Sequence, residues 1–103
     1  MQDNLIKIDP EGREVTLQVI FLKEGAHVIA YAPALDLSAF GDTIEEAKEA
    51  FTEAVEIFID DLVSRGTLSE VLEGLGWERG ANAWIPPTII SHHSERIGIP
   101  LPH

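Results

Sequence analysis

The sequence predicts an α+β domain with the element order β-β-β-α-α-β. Three features carry that expectation: a hairpin pattern over 15–32, a long amphipathic segment over 44–65, and a short second helix directly after it. The expected architecture is a three-stranded antiparallel sheet plus a further C-terminal strand, with the long helix across one face. The whole chain, 1–103, reads as a single domain with its core in 14–76 and a proline-containing extension or strand in 77–103.

Residues 4–8 (NLIKI) have strand character, and Asp9-Pro10-Glu11-Gly12 reads as a turn, with Pro second and Gly fourth. In 15–22 (VTLQVIFL), Val15, Leu17, Val19 and Phe21 fall on one face of a strand. Ile20 and Leu22 make the second half apolar on both faces, as expected of a covered or central strand. Lys23-Glu24-Gly25-Ala26 turns the chain, and 27–31 (HVIAY) returns to close a hairpin. Pro33 ends that strand, because proline cannot donate to a ladder. Residues 35–40 (LDLSAF) read as a third strand, stopped by Gly41.

Thr43 and Glu46 then fit a capping box, an N-cap hydroxyl with a carboxylate three residues on. Ile44, Ala47, Phe51, Ala54, Val55, Phe58 and Leu62 recur at steps of three and four and so share a helix face. Arg65 and Gly66 supply the cation and the left-handed residue expected at a helix C-terminus. Thr67 and Glu70 repeat the capping-box spacing before Leu68, Val71, Leu72 and Leu75, and Gly76 closes that helix. Gly80-Ala81-Asn82 suggests a turn between Trp77 and Trp84, and Pro86-Pro87 forbids a helix. Residues 88–92 and 96–101 read as strands, an edge strand or an arm on a partner subunit.

Composition narrows the function. Eighteen acidic against seven basic side chains give a net charge of -11, with no cysteine in 103 residues. Nucleic-acid and anionic-membrane binding both need a basic footprint, which this chain lacks. The absence of cysteine removes disulfides, thiolate metal sites and cysteine nucleophiles, and suits a cytoplasmic location. No apolar run approaches the ~20 residues that span a bilayer, and the N-terminal MQDNLIKID has no signal-peptide pattern.

Candidate chemistry is thin. Asp36, Asp42, Glu45 and Glu46 gather carboxylates suited to a hard cation, but without calcium-loop spacing, and a helix N-terminus attracts acids for dipole reasons alone. His92, His93 and Glu95, with His27, are potential ligands, yet adjacent histidines on a strand point to opposite faces. There is no G-x-S-x-G elbow, no Gly-rich phosphate loop and no H-E-x-x-H. No catalytic residue, metal site or cofactor is therefore expected. Ile57, Phe58 and Ile59 make the long helix more apolar than one core stripe needs, which points to self-association as a homo-dimer or homo-tetramer.

Residues 30–67, AYAPALDLSAFGDTIEEAKEAFTEAVEIFIDDLVSRGT, resemble the HicB family, the antitoxins of HicA–HicB toxin–antitoxin pairs. Tyr31, Pro33 and Leu35 match the family's tyrosine–x–proline–x–leucine segment, Gly41-Asp42-Thr43 its G-D-T, and Glu45-Glu46-Ala47 the E-E-A that follows. The preceding hairpin (15–29) and GTLSEVLEGLGW (66–77) are similar to family pieces too. The resemblance implies a partial RNase H-like fold. It also implies a protein that is no enzyme but neutralises a small basic HicA-like toxin, an mRNA-cleaving protein, by covering its active site. An acidic surface suits a basic RNA-binding partner. On this reading Tyr31, Pro33, Asp36 and Asp42 are the partner contacts. Two departures stand out. Asp36-Leu37-Ser38-Ala39 replaces the P-G-C-like step of many members, and 77–103, with Arg79 and Arg96 as its only Lys or Arg and four of the six prolines, holds no helix pair to bind an operator. No direct DNA binding is expected. The alternative is a stand-alone oligomeric module of the same fold with another protein partner or none.

Overall fold

A computed structural model describes residues 4–9 and 12–102. The expected turn at Asp9-Pro10-Glu11-Gly12 thus lies partly outside the described residues. The order is β1 (Leu5–Asp9), β2 (Gly12–Thr16), β3 (Ile20–Glu24), β4 (His27–Ala32), β5 (Leu37–Gly41), α1 (Ile44–Arg65), α2 (Leu68–Gly74), β6 (Glu78–Arg79) and β7 (Trp84–Ile85). The α+β class holds, with a three-stranded antiparallel sheet in the order β3-β4-β5. The remaining strands form a second antiparallel sheet, β2-β1-β7-β6, instead of extending the first.

Two sheets arise because the strand expected over 15–22 is divided. Its first part pairs with β1, its second with β4, and 17–19 bridges them without ladder pairing. The Gln18 amide donates instead to the buried Asn4 side chain at 2.5 Å. Alternation survives the break: Val15, Leu17, Val19 and Phe21 are half-buried against the core, and the even-numbered residues between them are exposed. The third strand starts at Leu37, two residues later than expected, since Leu35 and Asp36 belong to the turn after β4.

Helix α1 has the predicted limits. The Thr43 side chain accepts from the Glu46 amide at 3.1 Å, and Gly66 ends the helix at φ 70°. The Glu46 carboxylate accepts from the Asp42 amide at 2.9 Å, satisfying a second free N–H at this end. Its buried stripe is Ala47, Phe51, Val55, Ile59 and Leu62. Small residues on the facing sheet, Ala30, Ala32 and Ala39, let the helix approach closely. Gly41 is the tightest point: a Cβ there would lie 2.7 Å from the Ala47 nitrogen.

Helix α2 forms without the second capping box: Thr67 makes no side-chain cap hydrogen bond. Trp77 closes its end and is almost fully buried, donating its indole N–H to the Ala34 carbonyl at 2.7 Å. Ile6, Trp77 and Trp84 join the core, which draws on both sides of 14–76. The β6–β7 hairpin turns where Gly80-Ala81-Asn82 suggested, with the Arg79 guanidinium 4.9 Å from the Trp84 ring centroid. The strands expected at 88–92 and 96–101 are absent. From Pro87 to Pro102 the described chain has no regular structure and is exposed throughout, because Pro87, Pro100 and Pro102 lack an amide donor and no neighbouring strand is within pairing reach. The molecule measures 59 × 31 × 30 Å, its length set by this arm.

Candidate partner-binding face

In an antiparallel ladder, residues directly opposite each other share a face. Phe21, Ala30 and Ala39 form the row turned to α1. The other face carries three rows: Ile20–Tyr31–Ser38, then Leu22–Ile29–Phe40, then Glu24–His27. Nothing in the chain covers these rows. Phe40 is 65% exposed, and Ile20 and Leu22 are each about half exposed. The two-sided apolar pattern of 15–22, expected to mark a central or covered strand, belongs instead to an edge strand with one open apolar face. That corrects the reading of Ile20 and Leu22. It also identifies what sequence reasoning missed: Ile20, Leu22, Ile29 and Phe40 are the middle of the candidate site.

The four expected partner contacts fall at the two ends of this face. At one end Tyr31 donates its hydroxyl to Asp36 Oδ1 at 2.9 Å, and Pro33 is exposed in the turn that links them. Asp36 adopts φ 50°, the left-handed region that Asp tolerates better than most residues. The Asp36 hydrogen bond first, then partial desolvation and the Asp36 charge, hold the Tyr31 phenol above its ordinary pKa. At the other end, beyond Gly41, Asp42 Oδ1 lies 3.2 Å from His27 Nδ1, and the His27 ring packs edge-on against Phe40 at 5.6 Å. The face is thus an apolar strip between two small polar clusters, each holding an exposed carboxylate.

The expected self-association set divides. Ile57 is 63% exposed and Phe58 half-buried, but Ile59 is only 3% exposed and belongs to the core stripe. Ile59 cannot contact a partner from the folded chain. The helical period explains the difference, since Ile59 follows Val55 by four residues while Ile57 follows it by two. On the other side of α1, Val15, Leu17 and Val19 form with Phe51, Val55 and Ile59 an open groove of about 710 Å³, bridged by an Arg13–Asp60 ion pair.

The remaining candidate ligands do not converge. Glu46 is committed to the helix cap, His93 pairs with Glu95 in the arm, and His27 pairs with Asp42. Among the described residues no group of three His, Asp or Glu side chains is placed to share a metal ion, and no helix is long and apolar enough to cross a membrane. No family model, no curated protein and no solved structure matches the chain.

Proposed function

We propose that this chain is a HicB-like, antitoxin-type protein that binds a small basic mRNA-cleaving toxin and covers its active site with the open face of β3–β5. One observation carries the reading most: an uncovered apolar sheet face flanked by the Asp36 and Asp42 carboxylates, on a chain of net charge -11. Apolar centres with polar rims are the anatomy of protein-binding surfaces, and complementary charge steers the encounter. In this reading Leu22, Ile29 and Phe40 supply buried contact, Tyr31 and Pro33 shape one end, and Asp36 and Asp42 meet the toxin's cations. The chain performs no reaction and needs no cofactor. Its location is cytoplasmic, where an mRNA-cleaving partner would act, and it does not bind DNA directly.

The test is native mass spectrometry on the protein purified gently from its own cells. A second, small and basic chain at fixed stoichiometry is the expected result. A homo-oligomer with nothing else bound overturns the antitoxin reading. It would favour the second reading, a stand-alone oligomeric module, for which the exposed apolar side chains of the arm speak independently.

A further inference from the structure

We infer that, in the partner-free protein, the C-terminal arm of a second copy of this chain lies across the open face of β3–β5, in a reciprocal exchange. The inference uses only the face and the arm and stands whichever protein the face takes. Ile89, Ile90, Ile97, Ile99 and Leu101 are each more than half exposed and touch no core. The same chain therefore carries two uncovered apolar surfaces, one flat and one extended, and each is of the kind that water disfavours.

The two match in period. Ile97, Ile99 and Leu101 recur every second residue, as do Ile20 and Leu22 on the receiving face. Extended chains advance about 3.3 Å per residue, so both present apolar side chains at the same spacing. Pro100 and Pro102 remove amide donors, which favours packing across the face over addition of an edge strand. From 90 to 102 the arm reaches about 43 Å when extended, more than enough to cross three strands.

Charge selects the arm as the occupant. In 88–102 the only charged side chains, with histidine neutral, are Glu95 and Arg96, so the rest of the chain carries the whole -11. Two sheet faces meeting directly would oppose Asp36 and Asp42 of one copy to those of the other. A neutral apolar arm avoids that repulsion, and Arg96 can meet a carboxylate at the face's end. The exit direction selects a second copy over the arm's own body. Pro86 is buried, and Pro87 is held against Gly76, whose added Cβ would lie 2.8 Å from the proline ring. From there the arm runs outward and accounts for the 59 Å length. Folding back onto its own sheet requires a reversal that a neighbour's sheet does not. Reciprocal exchange closes as a two-fold dimer, and both arms and both faces then contribute to its interface.

The cysteine-free sequence makes the test direct. Full-length Phe40→Cys and Ile99→Cys chains are mixed, oxidised gently and separated without reductant, with Leu22→Cys and Leu101→Cys as a second pair. A mixed disulfide dimer several-fold more abundant than either variant's self-dimer is expected. Three results overturn the inference: no cross-link in either mixture, a dominant Phe40→Cys self-dimer, or a Phe40→Cys/Ile99→Cys double variant that closes within one chain. None of these bears on whether a basic chain co-purifies with the wild-type protein, so this inference and the toxin reading fail separately.

Discussion

Tyr31 and Asp36, five residues apart, are joined by a 2.9 Å hydrogen bond across the turn from β4 to β5. The bond spans the end of the open face and holds an aspartate in the left-handed region. Because Tyr31 is the only tyrosine, its ionisation can be followed alone by tyrosinate absorbance. Its pKa is raised first by the bond to Asp36, then by desolvation and the Asp36 charge. Asp36→Gly keeps the backbone conformation accessible, removes the acceptor and the charge, and should bring the transition down toward the ordinary value of 10.0. The sign for stability follows. A folded pKa above the unfolded one stabilises the fold fully below pH 10.0 and ceases to do so as pH rises through the folded pKa. An unchanged Tyr31 transition in Asp36→Gly would show that the bond does not persist in solution.

Gly41 marks the junction of β5 with α1. A Cβ would meet the Ala47 nitrogen and the Glu46 side chain at 2.7 Å, backbone included, so the clash cannot be relieved by a rotamer change. Gly41→Ala should destabilise by about 1–3 kcal/mol through overpacking. Urea unfolding of the two proteins measures it, and equal midpoints would mean that the helix start gives way easily.

Neighbours on one helix separate contact from core. Ile59→Ala removes a side chain that is inside the domain and should cost about 2–5 kcal/mol. Ile57→Ala changes an exposed side chain and should stay within about 0.5 kcal/mol. A substantial loss in Ile57→Ala that grows weaker on dilution would reveal Ile57 in a contact between copies.

This helix also shows what was legible in the sequence. Its limits followed from Thr43, Glu46 and Gly66, because capping is local chemistry. Its buried stripe was less legible: Ile44 and Phe58 fit the period as well as Ile59 did, and which side of a broad apolar band turns inward depends on where the sheet lies. The division at 17–19 was invisible for the same reason. Alternation runs unbroken through Val15, Leu17, Val19 and Phe21, and only the partners on each side, β1 and β4, reveal two sheets. At the candidate site, Tyr31, Asp36 and Asp42 were found by resemblance. Ile20 and Leu22 carried their own signal, apolar side chains on the second face, but an edge strand awaiting a partner and a central strand write the same pattern.

Trp77 ties the end of α2 to the turn that shapes the candidate site. Its indole N–H donates to the Ala34 carbonyl at 2.7 Å from an almost fully buried ring. Trp77→Phe keeps much of the apolar volume but leaves that carbonyl without its donor, at a cost of about 1–3 kcal/mol. Because Ala34 lies between Pro33 and Leu35, the variant should also loosen the Tyr31–Asp36 end of the face. Faster amide exchange at Leu35 and Asp36, whose amides close the turn onto Ala32 and Pro33, is the expected readout. Unchanged exchange there would confine the role of Trp77 to the core.

Leu22 and Phe40 discriminate a binding face from a merely tolerated one. Both lie in the middle row of the open sheet, and no part of the folded chain covers them. Substitution of either by glutamine should therefore leave the unfolding free energy of the isolated monomer within about 0.5 kcal/mol. If the face binds a protein, the same change removes apolar contact from the centre of an interface, where truncations cost about 2 kcal/mol or more. Asp36→Lys with Asp42→Lys alters the rim instead, and should slow association and invert its salt dependence more than it speeds dissociation. Binding kinetics with the co-purified basic chain compare the two sets. Loss from the centre through faster dissociation, and from the rim through slower association, is the pattern a steered apolar docking face requires. Wild-type kinetics in both sets would remove β3–β5 from the interface and turn attention to the acidic outer side of α1.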